Sequence, residues 1–312
     1  MKNIGLLCVL AIAWSSCGGG RDGGVAGEPV LLTTVGMLTD ITRAVAGEVV
    51  AVEGLMGEGT DPHSFQPSAS DVRKIQSAAA ILYVGHHLEA RLVETFAGQG
   101  ARGKRVLAVA EEMDRERLLL DEDGNVDPHL WMDVLLWADV AGEVADFLSA
   151  WMPEHAETFQ ANLATLTAEL VALDTEISAQ LATIPEDRRV LVTAHDAFGY
   201  FGGRYGLEVE GIQGFSTDSE AGLRRMNLLV DMLVTRGISA VFVESSVPDR
   251  HVRALIEGTQ RRGHAVEIGG ELFSDAMGAR GTPEGTYIGM MRHNVRTIVE
   301  ALGGEVLGGG GL

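Results

Sequence analysis

The run Val190-Leu191-Val192-Thr193-Ala194-His195-Asp196-Ala197-Phe198-Gly199-Tyr200-Phe201 decides the fold of this chain. Its first five residues make a short apolar strand of the kind buried in a parallel sheet. His195 follows that strand directly and precedes an aromatic segment, so it stands at a carboxyl strand end, where open α/β sheets bind their ligands. Working outward, residues 207–211, 240–244 and 265–268 repeat the strand pattern, with helical stretches near 219–236 and 248–262 between them. The first half behaves in the same way from Pro29 onward, with strands expected at 30–35, 49–55, 80–84 and 106–109. Ser68-x-x-Asp71 resembles a capping box and opens an amphipathic stretch through Val72, Ile75 and Ala79. Short strands alternating with helices predict a mainly parallel sheet in each half. No repeat of fixed period is present.

Between the halves lies the longest helical pattern in the chain. Pro153 is placed to begin it, and Phe159, Leu163, Leu166, Leu170, Leu173, Ile177, Leu181 and Ile184 follow at intervals of three and four. Thirty or so helical residues span about 45 Å, the size of a small domain. The expected fold is therefore α/β, with two similar lobes of mainly parallel sheet joined by one long linking helix. The boundaries read as 29–152 for the first lobe, 153–185 for the helix, 186–305 for the second lobe and 306–312 for a flexible tail. Such a helix bends less readily than a pair of extended strands, so large hinge closure is not expected. Its heptad-like spacing also fits a helix with a coiled-coil partner nearby.

Composition narrows the function. At 312 residues, 46% hydrophobic and 22% charged, the chain is globular and long enough for two ordinary domains. With 24 basic against 44 acidic residues, a net charge of -20, it has no means of displacing counterions from a nucleic-acid backbone. Lys2 and the apolar stretch 4–14 read as an export signal too short to be a permanent membrane span. Trp14-Ser15-Ser16-Cys17-Gly18 resembles a bacterial lipoprotein processing site that would leave Cys17 as a lipidated first residue, ordinary signal cleavage being the alternative. Residues 18–28 read as a glycine-rich tether. Residues 1–17 read as the signal with its lipoprotein-like Cys17; Cys8 is lost with the signal and Cys17 would carry lipid, so no disulfide is available.

Among the nine histidines, three stand in distinctive settings. His63 and His129 each close an Asp-Pro-His triplet, where proline stiffens the loop and orients the imidazole at little entropic cost. With His195 and Asp275, which lies beyond the strand at 265–268, they form a scattered set of hard and borderline ligands suited to zinc or manganese. Each has a competing role, for Asp275 the cap of a short turn. Asp61 and Asp127 either cap the following turn or accept the other ring N–H of the neighbouring histidine, and Glu244 is either such a supporting partner or an ordinary buried polar contact. His86, His87, His155, His251, His264 and His293 carry no such signal, His155 and His293 falling in amphipathic helices and His264 in a surface turn.

In order, Gly59–His63, Gly85-His86-His87-Leu88-Glu89, Asp127–Asp133, His195–Phe201, Glu244-Ser245-Ser246 and Leu272–Met277 resemble the zinc and manganese receptors of bacterial ABC importers, the TroA-like or ZnuA-like solute-binding proteins. The resemblance covers nearly all of the mature chain. It implies ligands at His63, His129, His195 and Asp275, two lobes joined by a long helix, a lipid-anchored protein outside the cytoplasm, and delivery of the ion to an ABC permease. Relatives regarded as manganese-specific usually have glutamate where this chain has His195, and many zinc-specific relatives have a histidine-rich acidic loop. Residues 111–127 are acidic but contain no histidine. Nitrogen-rich sites bind zinc ahead of manganese, so zinc is expected first, with manganese admitted if Asp275 binds through both oxygens. The rivals are a metallo-hydrolase using Glu244 or Asp196 as base, and an adhesion lipoprotein with no tight site. No His-Glu-x-x-His helix or glycine-flanked serine supports the hydrolase.

Overall fold

The computed structural model describes residues 29–121, 123–218 and 221–307. The export signal, Cys17 and the tether lie outside these residues, as does most of the expected tail. In the first half, β1 (Val30–Thr33), β2 (Ala51–Gly54), β3 (Ala80–Tyr83) and β4 (Arg105–Ala108) form one parallel sheet in the order β2-β1-β3-β4. Three helices alternate with these strands: α1 (Gly36–Ala46), α2 (Ala69–Ser77) and α3 (Val93–Ala101). The capping box of α2 is formed, with Ser68 Oγ accepting from the Asp71 N–H and Asp71 Oδ2 accepting from the Ser68 N–H.

Two long helices come next, α4 (Val134–Trp151) and α5 (Ala156–Leu181), joined by a single turn at Pro153–His155. Proline cannot continue α4 with a hydrogen bond but suits the first turn of a new helix, which is why the chain reverses here. The 26 residues of α5 make it the long helix expected from the sequence, about 39 Å in length. It is not a bare strut. Phe159, Leu166, Leu170, Leu173, Ile177 and Leu181 are buried along it, and it packs on α4, on α1 and on the C-terminal helix α9 (Tyr287–Ala301). Each such fully buried side chain contributes about 1.5–3 kcal/mol. Asn162 reaches the Val45 carbonyl at the end of α1, and Arg292 of α9 clasps Glu176 at 2.8 Å, so α5 holds both halves.

The second half contains β5 (Val190–His195), α6 (Gly199–Tyr205), β6 (Glu208–Gln213), α7 (Leu223–Arg236), β7 (Ala240–Glu244), α8 (Arg250–Gln260) and β8 (Glu267–Leu272). β5 pairs with β6 and β7 with β8, both in parallel, and β5 lies beside β7. This repeats the spatial sequence of the first sheet. β8 corrects the expected strand at 265–268, because Gly269 and Gly270 continue it rather than end it. A Cβ on Gly269 would stand 2.7 Å from Ala301 and one on Gly270 would overlap Thr297, so the glycines let α9 close onto the strand. α4 has no counterpart among the expected elements; its apolar residues run round much of its circumference, which erases the amphipathic signal. At the C-terminus, Leu307 exchanges two hydrogen bonds with the Gln180 side chain, which holds the start of the expected tail to α5.

Candidate metal centre

His63, His129, His195 and Asp275 leave four different loops or strand ends and meet at the carboxyl edges of the sheets. His63 follows β2, His129 precedes the short turn Leu130–Met132 that leads into α4, His195 is the last residue of β5, and Asp275 follows β8. All four are buried, none more than 2% exposed. One ligand atom from each lies within 4.8 Å of the others. His63 Nε2 is 3.3 Å from His129 Nε2, Asp275 Oδ1 is 3.3 Å from His129 Nε2, and Asp275 Oδ2 is 3.2 Å from His195 Nε2 and 3.7 Å from His63 Nε2. Four bonds of about 2.0–2.1 Å to a tetrahedral zinc put the ligand atoms about 3.3 Å apart. His195 Nε2 and both oxygens of Asp275 are buried without a hydrogen bond among the described residues. Buried polar atoms are rarely left so, and a cation at their centre would satisfy all of them.

The far sides of the rings are held. Asp127 Oδ1 accepts from His129 Nδ1 at 2.7 Å and from the His129 backbone N–H at 2.9 Å. Glu244 does the same for His195, with Oε2 2.5 Å from Nδ1 and Oε1 accepting the backbone N–H at 2.9 Å. Both contacts turn Nε2 toward the centre. Asp61 behaves differently. It caps the turn by accepting the His63 backbone N–H at 2.9 Å, and also takes the Ser64 and Thr217 hydroxyls, but does not reach the His63 ring.

These surroundings divide the histidines electrostatically. Burial pulls the His63 imidazole down to a pKa of about 4, with Asp275 only partly opposing it. Burial acts the same way on His129, but the Asp127 and Asp275 carboxylates outweigh it and hold the pKa at about 9. His195 is raised well above the usual value as Glu244 and Asp275 overcome burial. Asp275 is held well below the carboxylate range, since His195 and His129 outweigh its own burial. Asp196 is pushed up to about 6 by burial and by Asp127.

The remaining histidines stay apart from this group. His86 bonds the Ala110 carbonyl, His264 the Ile238 carbonyl and His293 the Glu271 carbonyl, while His155 meets the Phe159 ring. His86 and His87 have φ of 47° and 65° and follow Gly85 at 96°, a left-handed run that costs energy at the two non-glycine positions. Glu89 holds this bend. It is 1% exposed and accepts from the Thr34 hydroxyl and from the N–H groups of Val84 and Gly85. In the sequence Glu89 stood only as the last residue of the Gly85–Glu89 segment of the resemblance, with no role of its own. Glu89→Ala leaves three buried donors unpaired at about 1–3 kcal/mol each, so urea unfolding should show a loss of about 3 kcal/mol or more.

Residues 31–301 match the family described as zinc-uptake complex component A, periplasmic (ZnuA). The chain belongs to this family. Within it, the manganese-binding lipoprotein MntA of Bacillus subtilis is 44% identical over 292 residues, covering 93% of this chain and 95% of that protein. The zinc-binding protein TroA of Treponema pallidum is 43% identical over 300 residues, covering 95% and 97%. The solved structure of that periplasmic zinc-binding protein superimposes with a TM-score of 0.85 at 45% identity, over 88% of this chain and 99% of the other. The long helix and parallel sheets described above are thus the ZnuA-family fold.

Proposed function

We infer that this chain captures one divalent transition-metal ion outside the cytoplasm, zinc first and manganese also, and hands it to an ABC permease. His63, His129, His195 and Asp275 are the ligands, and the ion is cargo. The observation that carries this reading is the buried group of ligand atoms spaced for coordination, of which His195 Nε2 and both Asp275 oxygens have no hydrogen bond among the described residues. The relatives, one named for zinc and one for manganese, agree with it but leave the choice of metal open. Three imidazoles favour zinc by ligand type. Both oxygens of Asp275 face the imidazoles, which admits manganese.

The protein acts as a monomeric receptor and not as an enzyme. Four side chains complete a tetrahedral shell, whereas a catalytic zinc keeps a position for water. Both oxygens of Glu244 are engaged by His195, so it is not free to serve as a base. Export and lipidation at Cys17 keep the receptor at the membrane, and no helix among the described residues is long and apolar enough to cross one. Release requires displacement of a ligand-bearing loop on docking to the permease. Thr217 to Asp61 at 2.6 Å and Arg91 to Asp218 at 3.2 Å are contacts between the two halves that such a displacement would break.

Thermal unfolding tests capture. Free zinc at 100 times its dissociation constant should stabilise the metal-free protein by about 2.7 kcal/mol, raising the melting temperature in proportion to log concentration above that point. A melting temperature indifferent to zinc and manganese would overturn the reading.

A further inference from the structure

Trp131 lies on the turn that follows His129 and is fully buried. Its indole N–H crosses from the first half of the chain to the second and donates to the Ser274 carbonyl at 2.8 Å, one residue before Asp275. The Trp131 carbonyl accepts from the Tyr287 hydroxyl at 2.6 Å, so α9 holds the turn as well. Ser274 Oγ lies 3.2 Å from Ser246 Oγ, and Asn294 clamps Phe273 through both its N–H (2.9 Å) and its carbonyl (2.7 Å). The backbone entering Asp275 is therefore fixed on several sides, while the carboxylate itself makes no hydrogen bond among the described residues. Of these contacts, the Trp131 indole is the one that ties the Asp275 loop to the His129 turn. The same indole meets the His129 ring edge-on at 5.3 Å.

We propose that Trp131 is a positioning residue for metal selectivity: its indole N–H holds the Asp275 loop where both carboxylate oxygens face the ion, and so keeps manganese acceptable to a zinc-favouring set of imidazoles. The proposal rests on the four residues being ligands, as inferred above. A carboxylate offering one oxygen completes a four-coordinate shell with three imidazoles, which zinc takes readily. One offering two adds an oxygen, which suits manganese, a metal of oxygen-rich and higher coordination. In the structure, Oδ1 faces His129 while Oδ2 faces His195 and His63. A retreat of the Ser274 carbonyl would turn one oxygen away and leave the other, a change that zinc tolerates and manganese does not.

Trp137 provides an internal control. It is fully buried against Trp131 at 6.0 Å, yet its indole N–H has no hydrogen-bond partner among the described residues. W131F and W137F thus remove similar indole volume, and only W131F removes a bond to the Asp275 loop.

The experiment measures zinc and manganese affinities, with cobalt(II) visible absorption as a report on coordination number, for the unaltered protein and both variants. Loss of a residue supporting metal ligands typically costs about 10–100-fold in affinity, so W131F should lose manganese affinity in that range and zinc affinity by no more than about threefold. Its cobalt bands should strengthen toward the four-coordinate form. W137F should leave the zinc-to-manganese ratio and the cobalt spectrum unchanged. If W131F does not fold, S246A, which removes the hydroxyl beside Ser274, should move the ratio in the same direction by less. An unchanged ratio and spectrum in W131F, or an equal shift in W137F, would overturn the proposal. Failure of the unaltered protein to bind either metal would instead overturn the function on which it rests.

Discussion

Alanine at His195 should weaken zinc binding by more than about 100-fold, because removing a partner that merely supports a ligand already costs 10–100-fold. His195 is the position where this effect is largest. Its Nε2 is buried without a hydrogen bond among the described residues, and its ring and backbone are both held by Glu244, so this nitrogen is aimed at the centre and committed to nothing else. The same substitution leaves Glu244 Oε2 buried without its ring partner, so the variant should also lose stability in the metal-free state. His264→Ala, at a ring bonded to the Ile238 carbonyl in a distant turn, should retain the unaltered affinity. Competition with a chelator of known zinc affinity measures both. Equal affinity in the unaltered protein and the His195→Ala variant would remove His195 from the ligand set.

Acid should release the ion steeply. A coordinated imidazole must present a bare Nε2, whereas in the metal-free protein His129, with a pKa of about 9, and His195, raised well above the ordinary value, both carry a second proton at neutral pH. The free state therefore binds more protons than the loaded state, and affinity rises with pH. Near pH 7 about two protons should leave for each ion bound, so that the dissociation constant changes about 100-fold per pH unit between roughly pH 5 and pH 8. His63, lowered to about 4, contributes no proton until below that window. Above about pH 9 the proton from His129 drops out, and the slope should fall. Calorimetry in buffers of different ionisation enthalpy counts these protons. A count near zero at pH 7 would show that the imidazoles are already neutral and that Asp127 and Glu244 do not hold them charged.

The legibility of each feature in the chain depends on the range over which that feature is determined. The alternation of apolar runs revealed the parallel sheets, and the intervals of three and four from Phe159 to Ile184 revealed α5, because both are local patterns. α4 was silent because apolar residues fill most of its circumference, leaving only the narrow stripe of Asp139, Glu143 and Asp146 to mark its outer face. β8 was displaced because Gly269-Gly270 looks like a strand end when the reason for it, the approach of α9, is a tertiary contact. At the site, proline and the strand end singled out His63, His129 and His195. That they meet, with Asp275 between them, is a property of the assembled sheets. The two Asp-Pro-His triplets show the limit most clearly. Asp127 grips the ring of His129 while Asp61 caps a turn and turns its second oxygen to Thr217, although the tripeptides are identical. The difference lies in what the opposite half of the molecule presents to each loop.

Anomalous diffraction at the zinc edge, from crystals grown with one equivalent of zinc, tests the central claim most directly. A single peak about 2.0–2.1 Å from Nε2 of His63, His129 and His195, within bonding distance of the Asp275 carboxylate, is the expected result. A peak elsewhere, or one at this position with a bound water replacing any of the four side chains, would contradict it.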